Sequence, residues 1–295
     1  MTAQILDGKA LAQTIRAEVK EEVETFIRET GVQPGLAVIL VGENPASQVY
    51  VRNKEKACIE AGMKFVRHDL PKETPQSELA ALIDSLNADP SLHGILVQLP
   101  LPPQIDSLRM QERVDPAKDV DGVHPVNVGR LSMGLDCLIP CTPLGVIEIL
   151  KRASIPIKGR HAVVVGRSKI VGKPMVQLLL REHATVTVCH SRTADLPGVC
   201  RSADILIAAT GQKEMIHGEW IKTGATAIDV GISFEERNGK YVQMGDIHRE
   251  EALAVAGYLS PSPGGPGPMT IAMLMSNALK AARMQTATGP GSSNQ

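Results

Sequence analysis

Apolar positions fall into short runs separated by amphipathic stretches. "GLAVILVG" (35–42) is an unbroken apolar run between glycines, the mark of a strand buried on both faces. The stretch 44–62 follows with helical spacing. Asn44 stands at its cap, Pro45 in its first turn and Gly62 at its end. A strand near 64–69, a helix near 75–87 and a strand at 94–100 come next, after an opening charged amphipathic helix near 8–29. The pattern starts again at "HAVVVG" (161–166), with further strands at 185–189, 205–209 and 226–231. Strand–helix alternation of this kind predicts α/β architecture with parallel sheets. "TPLGVIEILKRA" (142–153) reads as a bridging helix capped by Thr142 with Pro143 at its first position. The Pro/Gly-rich loop 260–269 leads to a last helix over 270–284, and the polar tail reads as disordered.

A chain of 295 residues suits two domains, and 43% hydrophobic content is enough for a core in each. With 31 basic against 32 acidic residues and only 2% aromatics, neither an electrostatic footprint nor stacking surfaces for a nucleic acid are expected. No apolar run reaches the roughly 18 residues of a membrane span, and no secretory signal is read at the N-terminus. Five cysteines without a Cys-x-x-Cys pair predict reduced thiols, a cytoplasmic location and no metal site.

"VVVGRSKIVGKP" has the strand–glycine loop–helix order of a dinucleotide site, with Gly166 and Gly172 permitting tight turns under a helix N-terminus. The G-x5-G spacing departs from G-x-G-x-x-G, so a plain structural turn competes on pattern alone. The next strand ends in "VCHSRT", without the acidic residue that binds a ribose 2′-hydroxyl. Ser191, Arg192 and the loop's own Arg167 suit a 2′-phosphate, which predicts NADP rather than NAD. Earlier in the chain, Tyr50 and Lys54 lie four apart on one helix face. Gln98 sits at a strand's C-terminal end, and Asp119, Asp121 and His124 fall in one loop. Taken singly, each has an ordinary explanation as a solvated charge, a backbone partner or a turn residue.

Seven ordered segments, "VGENPASQVYVRNKEKA", "GILVQLPLP", "KDVDGVHPVNVGRL", "PCTPLG", "VVVGRSKIVGKP", "DVGI" and "PGGPGPMT", together resemble the bifunctional methylenetetrahydrofolate dehydrogenase/methenyltetrahydrofolate cyclohydrolases over residues 5–284. The resemblance is to the short bacterial form, without transit peptide or fused synthetase domain. It implies an α/β folate-binding catalytic domain over 1–141, rejoined by the C-terminal helix 268–285. It also implies a Rossmann-like NADP-binding domain over 142–267, leaving 286–295 as tail. Lys54 matches the family's catalytic lysine, Tyr50 the residue against the folate ring, Gln98 the lysine's partner and Asp121 the anchor of the pterin amino edge. Gly166, Arg167, Ser168, Gly172, Ser191, Arg192 and Ile232 fall on the cofactor side, and Gly265 and Pro268 on the folate side. Tetrahydrofolate derivatives as ligands and a homodimer are implied as well. Two departures stand out in the last loop, Pro266 for the family's valine and Ser262 for a small apolar residue. They bear on folate affinity more than on the loop's role. Two other readings stay open: a shikimate dehydrogenase-like two-domain NADP enzyme, and a non-catalytic NADP-binding sensor.

Overall fold

The computed structural model describes residues 2–237 and 240–287. The chain forms two compact units, neither contiguous in sequence. One comprises the chain through Ala12 with Thr142–Thr270; the other comprises Gln13–Cys141 with the chain from Ile271 onward. The opening strand β1 (Gln4–Ile5) belongs to the first of these, and α1 (Gly8–Thr30) runs from one to the other.

The unit containing Gln13–Cys141 is built on a three-stranded parallel sheet. Its strands are β2 (Gly35–Val41), β3 (Lys64–Leu70) and β4 (Gly94–Val97), in the order β3-β2-β4. β2 is central and buried at every position, as its unbroken apolar run requires. Between the strands run α2 (Pro45–Glu60) and α3 (Gln76–Ala88). Asn44 caps α2 by accepting the Ser47 N–H at 3.0 Å, and Gly62 turns the chain at φ +78°. Leu79, Ile83 and Leu86 of α3 pack with Ile39, Ile95 and Val97 in one core cluster. α4 (Ser107–Arg113) and α5 (Pro125–Ser132) follow β4. Between them Asp119 forms an isolated parallel bridge to Ile95, which lays the loop carrying Asp121 along the sheet.

The other unit begins with α6 (Cys141–Arg152), apart from its first residue. Its sheet has six parallel strands in the order β1-β11-β8-β7-β5-β6. These are β5 (His161–Val165), β6 (Thr185–Cys189), β7 (Ile205–Ala208), β8 (Thr226–Asp229) and β11 (Tyr258–Ser260) with β1; α7 (Gly172–Arg181), α8 (Leu196–Arg201) and α9 (Arg249–Val255) connect them. A separate antiparallel pair, β9 (Ser233–Arg237) with β10 (Lys240–Met244), follows β8. After β5 the chain adds β6 on one side and then β7 on the other. This order makes the C-terminal ends of β5 and β7 the switch point at which open α/β sheets bind ligands. The last helix, α10 (Pro266–Ala287), passes from this unit to the other at Thr270/Ile271.

The structure departs from expectation in three places. Residues 1–12 were expected with Gln13–Cys141; instead β1 pairs with β11, through Gln4↔Tyr258 and Ile5↔Leu259. Two residues carry no periodicity from which such an edge strand could be read. The bridging helix begins at Cys141, so Thr142 lies inside it, its hydroxyl 2.9 Å from that of Thr270. Pro143 is tolerated there because first-turn N–H groups have no helical acceptor. The last helix begins at Pro266 and includes Thr286 and Ala287; the rest of the expected tail, 288–295, lies outside the described residues. Among the described residues no helix is long and apolar enough to cross a membrane.

Candidate active site

α2 and β4 bring the first group together. Lys54, on the helix, donates from Nζ to Gln98 Oε1 at 2.8 Å. Gln98 follows β4 directly; its backbone N–H bonds to Ile39 O at 2.9 Å and its Nε2 donates to Leu99 O at 2.7 Å. Both ends of the amide are thereby held, so its oxygen faces the lysine. Burial lowers the Lys54 pKa, while Asp121, Cys141 and Cys58 oppose that shift through their charge. Burial likewise raises Asp121, against the pull of Lys54. The lysine residue as a whole is half-buried, but its nitrogen end is closely surrounded. Tyr50 lies one turn earlier on the same helix face and is 37% exposed, leaving its ring free to cover a flat ligand.

The loop behind this group is anchored through Asp119. Its Oδ2 accepts the His124 N–H at 2.8 Å and Asn127 Nδ2 at 2.9 Å, and burial pushes its carboxyl up to about 6. His124 serves as the cap of α5, with Nδ1 accepting the Val126 N–H at 3.1 Å. Gly122, at φ +70°, passes so close to Ile139 and Pro140 that a Cβ would stand 2.4 Å from backbone. Three participants were not foreseen. Cys141 is buried beside Asp121 and Lys54, its thiol well above the usual range because of burial; Cys58 is pushed to about 12. Asn277 of α10 donates to Val120 O at 2.8 Å and Ile139 O at 2.7 Å, which fixes the backbone on either side of the site. Cys58 is four residues past Lys54 and could have been read from that spacing. Cys141 and Asn277 are too distant in sequence to leave a local signal.

The second group lies at the switch point. Gly166 directly follows β5 with φ +127°, and a Cβ there would stand 2.1 Å from Ala209 O. A Cβ on Gly172 would stand 2.3 Å from Gly166 O, so the loop folds back on itself as only glycines allow. Ser168 Oγ accepts the N–H groups of Val171 and Gly172 at 3.2 and 3.3 Å, which holds the loop where it enters α7. Its own O–H remains available to donate to an anion. The Gly166 N–H bonds to Cys189 O at 2.9 Å, which sets the loop beside the end of β6. There Ser191 and Arg192 are exposed, as is Arg167. Among the described residues neither guanidinium is engaged in an ion pair. Bare hydroxyls, free cations and a glycine cradle fit a phosphorylated dinucleotide. Ile232, 44% exposed, follows the end of β8.

Gly265 and Pro268 flank the start of α10. A Cβ on Gly265 would stand 2.4 Å from Ser260 Oγ. Pro266 is the first residue of this helix, where a missing N–H removes no helical bond. Ser262 accepts from Gln243 Nε2 at 3.2 Å, so its hydroxyl has a use inside the loop. Among the described residues no group of three or more His, Cys, Asp or Glu could hold a metal ion.

Fold and site together define a two-unit α/β enzyme, with a lysine–amide–carboxylate cluster on one sheet and a dinucleotide loop on the other. The chain belongs to the tetrahydrofolate dehydrogenase/cyclohydrolase family: the family's catalytic domain matches residues 6–121 and its NAD(P)-binding domain residues 140–286. It is 58% identical over 283 residues to the bifunctional protein FolD of Moorella thermoacetica, covering 96% of this chain and all of that one. The bifunctional FolD methylenetetrahydrofolate dehydrogenase/cyclohydrolase of Campylobacter jejuni superposes with a TM-score of 0.91 at 48% identity, covering 96% and 99% of the two chains. The Trypanosoma brucei enzyme, solved with NADP and an inhibitor, gives 0.92 at 39% identity, covering 96% and 98%. Of the three readings left open by the sequence, family membership selects the first.

Proposed function

We propose that this protein oxidises 5,10-methylenetetrahydrofolate to the methenyl form with NADP and then hydrolyses that product to 10-formyltetrahydrofolate. The Lys54–Gln98–Asp121 cluster carries this reading, because it supplies a base suited to the second step and an anchor for the pterin. Bound NADP supplies the acceptor for the hydride. Oxidation leaves a cationic N5–CH–N10 bridge without taking a proton from the substrate, so the residues' work falls mainly in the hydration. Lys54 in its neutral form accepts the proton of the attacking water, and both its burial and the neighbouring substrate cation favour that form. The amide of Gln98 holds the lysine nitrogen through one N–H without adding charge and leaves its lone pair for water. Asp121 accepts the donors of the pterin's amino edge, and Tyr50 covers the ring. Gly265 and Pro268 complete the folate contacts.

For the cofactor, Gly166 and Gly172 let the pyrophosphate approach the backbone, and Ser168 donates to it. Arg167, Ser191 and Arg192 hold the 2′-phosphate, and Ile232 lies against the nicotinamide. The protein acts as a cytoplasmic homodimer; all five cysteines are buried, and Cys58, Cys141, Cys189 and Cys200 are thiols, which agrees with reducing surroundings. The test follows NADPH and the methenyl intermediate together, starting from methylenetetrahydrofolate. NADPH should form while methenyl stays below stoichiometric amounts. Stoichiometric accumulation that decays only at the uncatalysed rate would remove the second activity.

A further inference from the structure

Asp246 and Asp229 are 0% and 2% exposed, and neither has a part in the scheme above. Asp229 ends β8. Its Oδ1 accepts the N–H groups of Gly231 (3.0 Å) and Asp246 (2.9 Å), and its Oδ2 accepts that of Ile247 (3.0 Å). Asp246 in turn accepts, at Oδ2, the N–H groups of Thr210 and Gly211 in the turn after β7. Its Oδ1 is buried with no hydrogen-bond partner. A Cβ on Gly231 would stand 2.0 Å from Asp246 Oδ1, and one on Gly245 would stand 1.9 Å from Asp229 Oδ2. The two carboxyl groups therefore fit only because both facing positions lack a side chain.

Turn capping is the ordinary explanation, and two features exceed it. Capping carboxylates are usually solvated, whereas a fully buried one is far more costly than an amide in the same place. The turns joined are also not arbitrary. Thr210 follows Ala209, whose carbonyl presses on Gly166 of the glycine loop. Gly231 precedes Ile232. Asp246 and Asp229 together thus tie the turn that touches the glycine loop to the turn that bears the nicotinamide-side residue: Asp246 holds Thr210 and Gly211, and Asp229 holds both Gly231 and the Asp246 backbone.

We propose that Asp246 is a positioning residue for hydride transfer: its carboxylate holds the Thr210–Gly211 turn while Asp229 joins its backbone to the Gly231–Ile232 turn, and the linked turns fix the pose of the nicotinamide. The inference rests on the NADP-dependent reaction proposed above. Asp246 acts through the backbone of the Thr210–Gly211 turn and, by way of Asp229, on that of Gly231.

Asp246→Asn keeps the shape and one acceptor oxygen but places an NH2 where Oδ1 lies. Four quantities are compared with the parent in the full chain: NADP affinity by calorimetry, single-turnover hydride transfer, methenyl hydrolysis without NADP, and amide exchange. Hydride transfer should fall by about tenfold or more, because small misplacements of reacting atoms are costly. NADP affinity should stay within about threefold, since phosphate contacts dominate it. Methenyl hydrolysis should hold at the parental rate, and exchange should quicken only in the two turns. Parental hydride transfer, or equal loss of both activities, would overturn the proposal.

A measurement on the parent keeps the proposal testable if the variant does not fold. NADP should slow exchange in both turns, whereas adenosine 2′,5′-bisphosphate, which has no nicotinamide, should protect the glycine loop alone. Equal protection by both ligands would count against a nicotinamide-linked clamp. A parent that fails to reduce NADP with methylenetetrahydrofolate would instead sink the reaction itself.

Discussion

At Lys54 burial and charge act in opposite senses, and burial prevails. Methenyl hydrolysis should therefore rise with pH as the ammonium loses its proton, with a midpoint below 10.5, the ordinary lysine value. A pH–rate profile, corrected for spontaneous hydrolysis, checks this. Lys54→Met keeps the apolar stem and so the packing under the ring. It should cut hydrolysis by about 10²–10⁴-fold, the usual contribution of a general base. Hydride transfer should fall less, because it needs no base. Wild-type hydrolysis in the variant would remove Lys54 from the mechanism and leave its bond to Gln98 a structural one. Asp119 offers a separate test. Its carboxyl is raised to about 6 from 3.8, so the folded protein holds the proton more tightly than the unfolded chain. The stability this contributes is full below about pH 4 and is lost as pH rises through about 6. The unfolding free energy of wild type minus that of Asp119→Asn should decline over that window and level off above it. A difference that stays flat in denaturant titrations would mean that Asp119 ionises as it does when unfolded. At this scale the sequence was legible where partners share a helix face, as Tyr50 and Lys54 do. It was illegible where the fold supplies the neighbour: nothing local relates Asp121 to Cys141, or Val120 to Asn277.

Among the elements, long apolar runs proved readable because burial on both faces leaves no other solution; β2 and β5 are the clearest cases. Short elements were not, since α4, α5, α8 and α9 hold six to eight residues each and give periodicity no room. The end of α3 shows a further kind of information that sequence conceals. Lys118, 6% exposed, donates to the carbonyls of Leu86, Asn87 and Asp89 at 3.1, 2.8 and 2.7 Å. A cation is thus placed on the orphan carbonyls and negative pole of a helix C-terminus from thirty residues away. Lys118→Met should cost roughly 1–3 kcal/mol of stability by leaving those acceptors unpaired. Pro266→Val, at the first position of α10, should change stability by no more than about 0.5 kcal/mol, because no helical N–H is gained there. Urea midpoints of the two variants test the contrast. Equal shifts would show that Lys118 is not the cap its geometry indicates.

Across the whole molecule, the formal charge of −1 offers no general attraction for an anionic cofactor. A preference for NADP would then come from local cations, the role proposed above for Arg167 and Arg192 beside the β6 end. The chain crosses between its units three times, yet apart from Gly265 and Pro268 the residues proposed for the two tasks divide by unit. Lys54, Gln98 and Asp121 belong to one unit; Arg167, Ser191 and Arg192 belong to the other. That division predicts separable variants. Replacing Arg167 and Arg192 together by Gln removes both charges while keeping much of the stem. Each lost charge-assisted contact is worth about 1–3 kcal/mol, so NADP affinity should fall by at least about tenfold. NAD, which has no 2′-phosphate, should bind nearly as before, and methenyl hydrolysis should be unchanged. Parental preference for NADP should also weaken as salt is raised from about 50 to 200 mM, since exposed charges are screened over that range. Titrating both dinucleotides into parent and double variant decides the matter. A loss shared equally by NADP and NAD would place the arginines on a part common to both dinucleotides, such as the pyrophosphate, and would leave the 2′-phosphate to Ser191 alone.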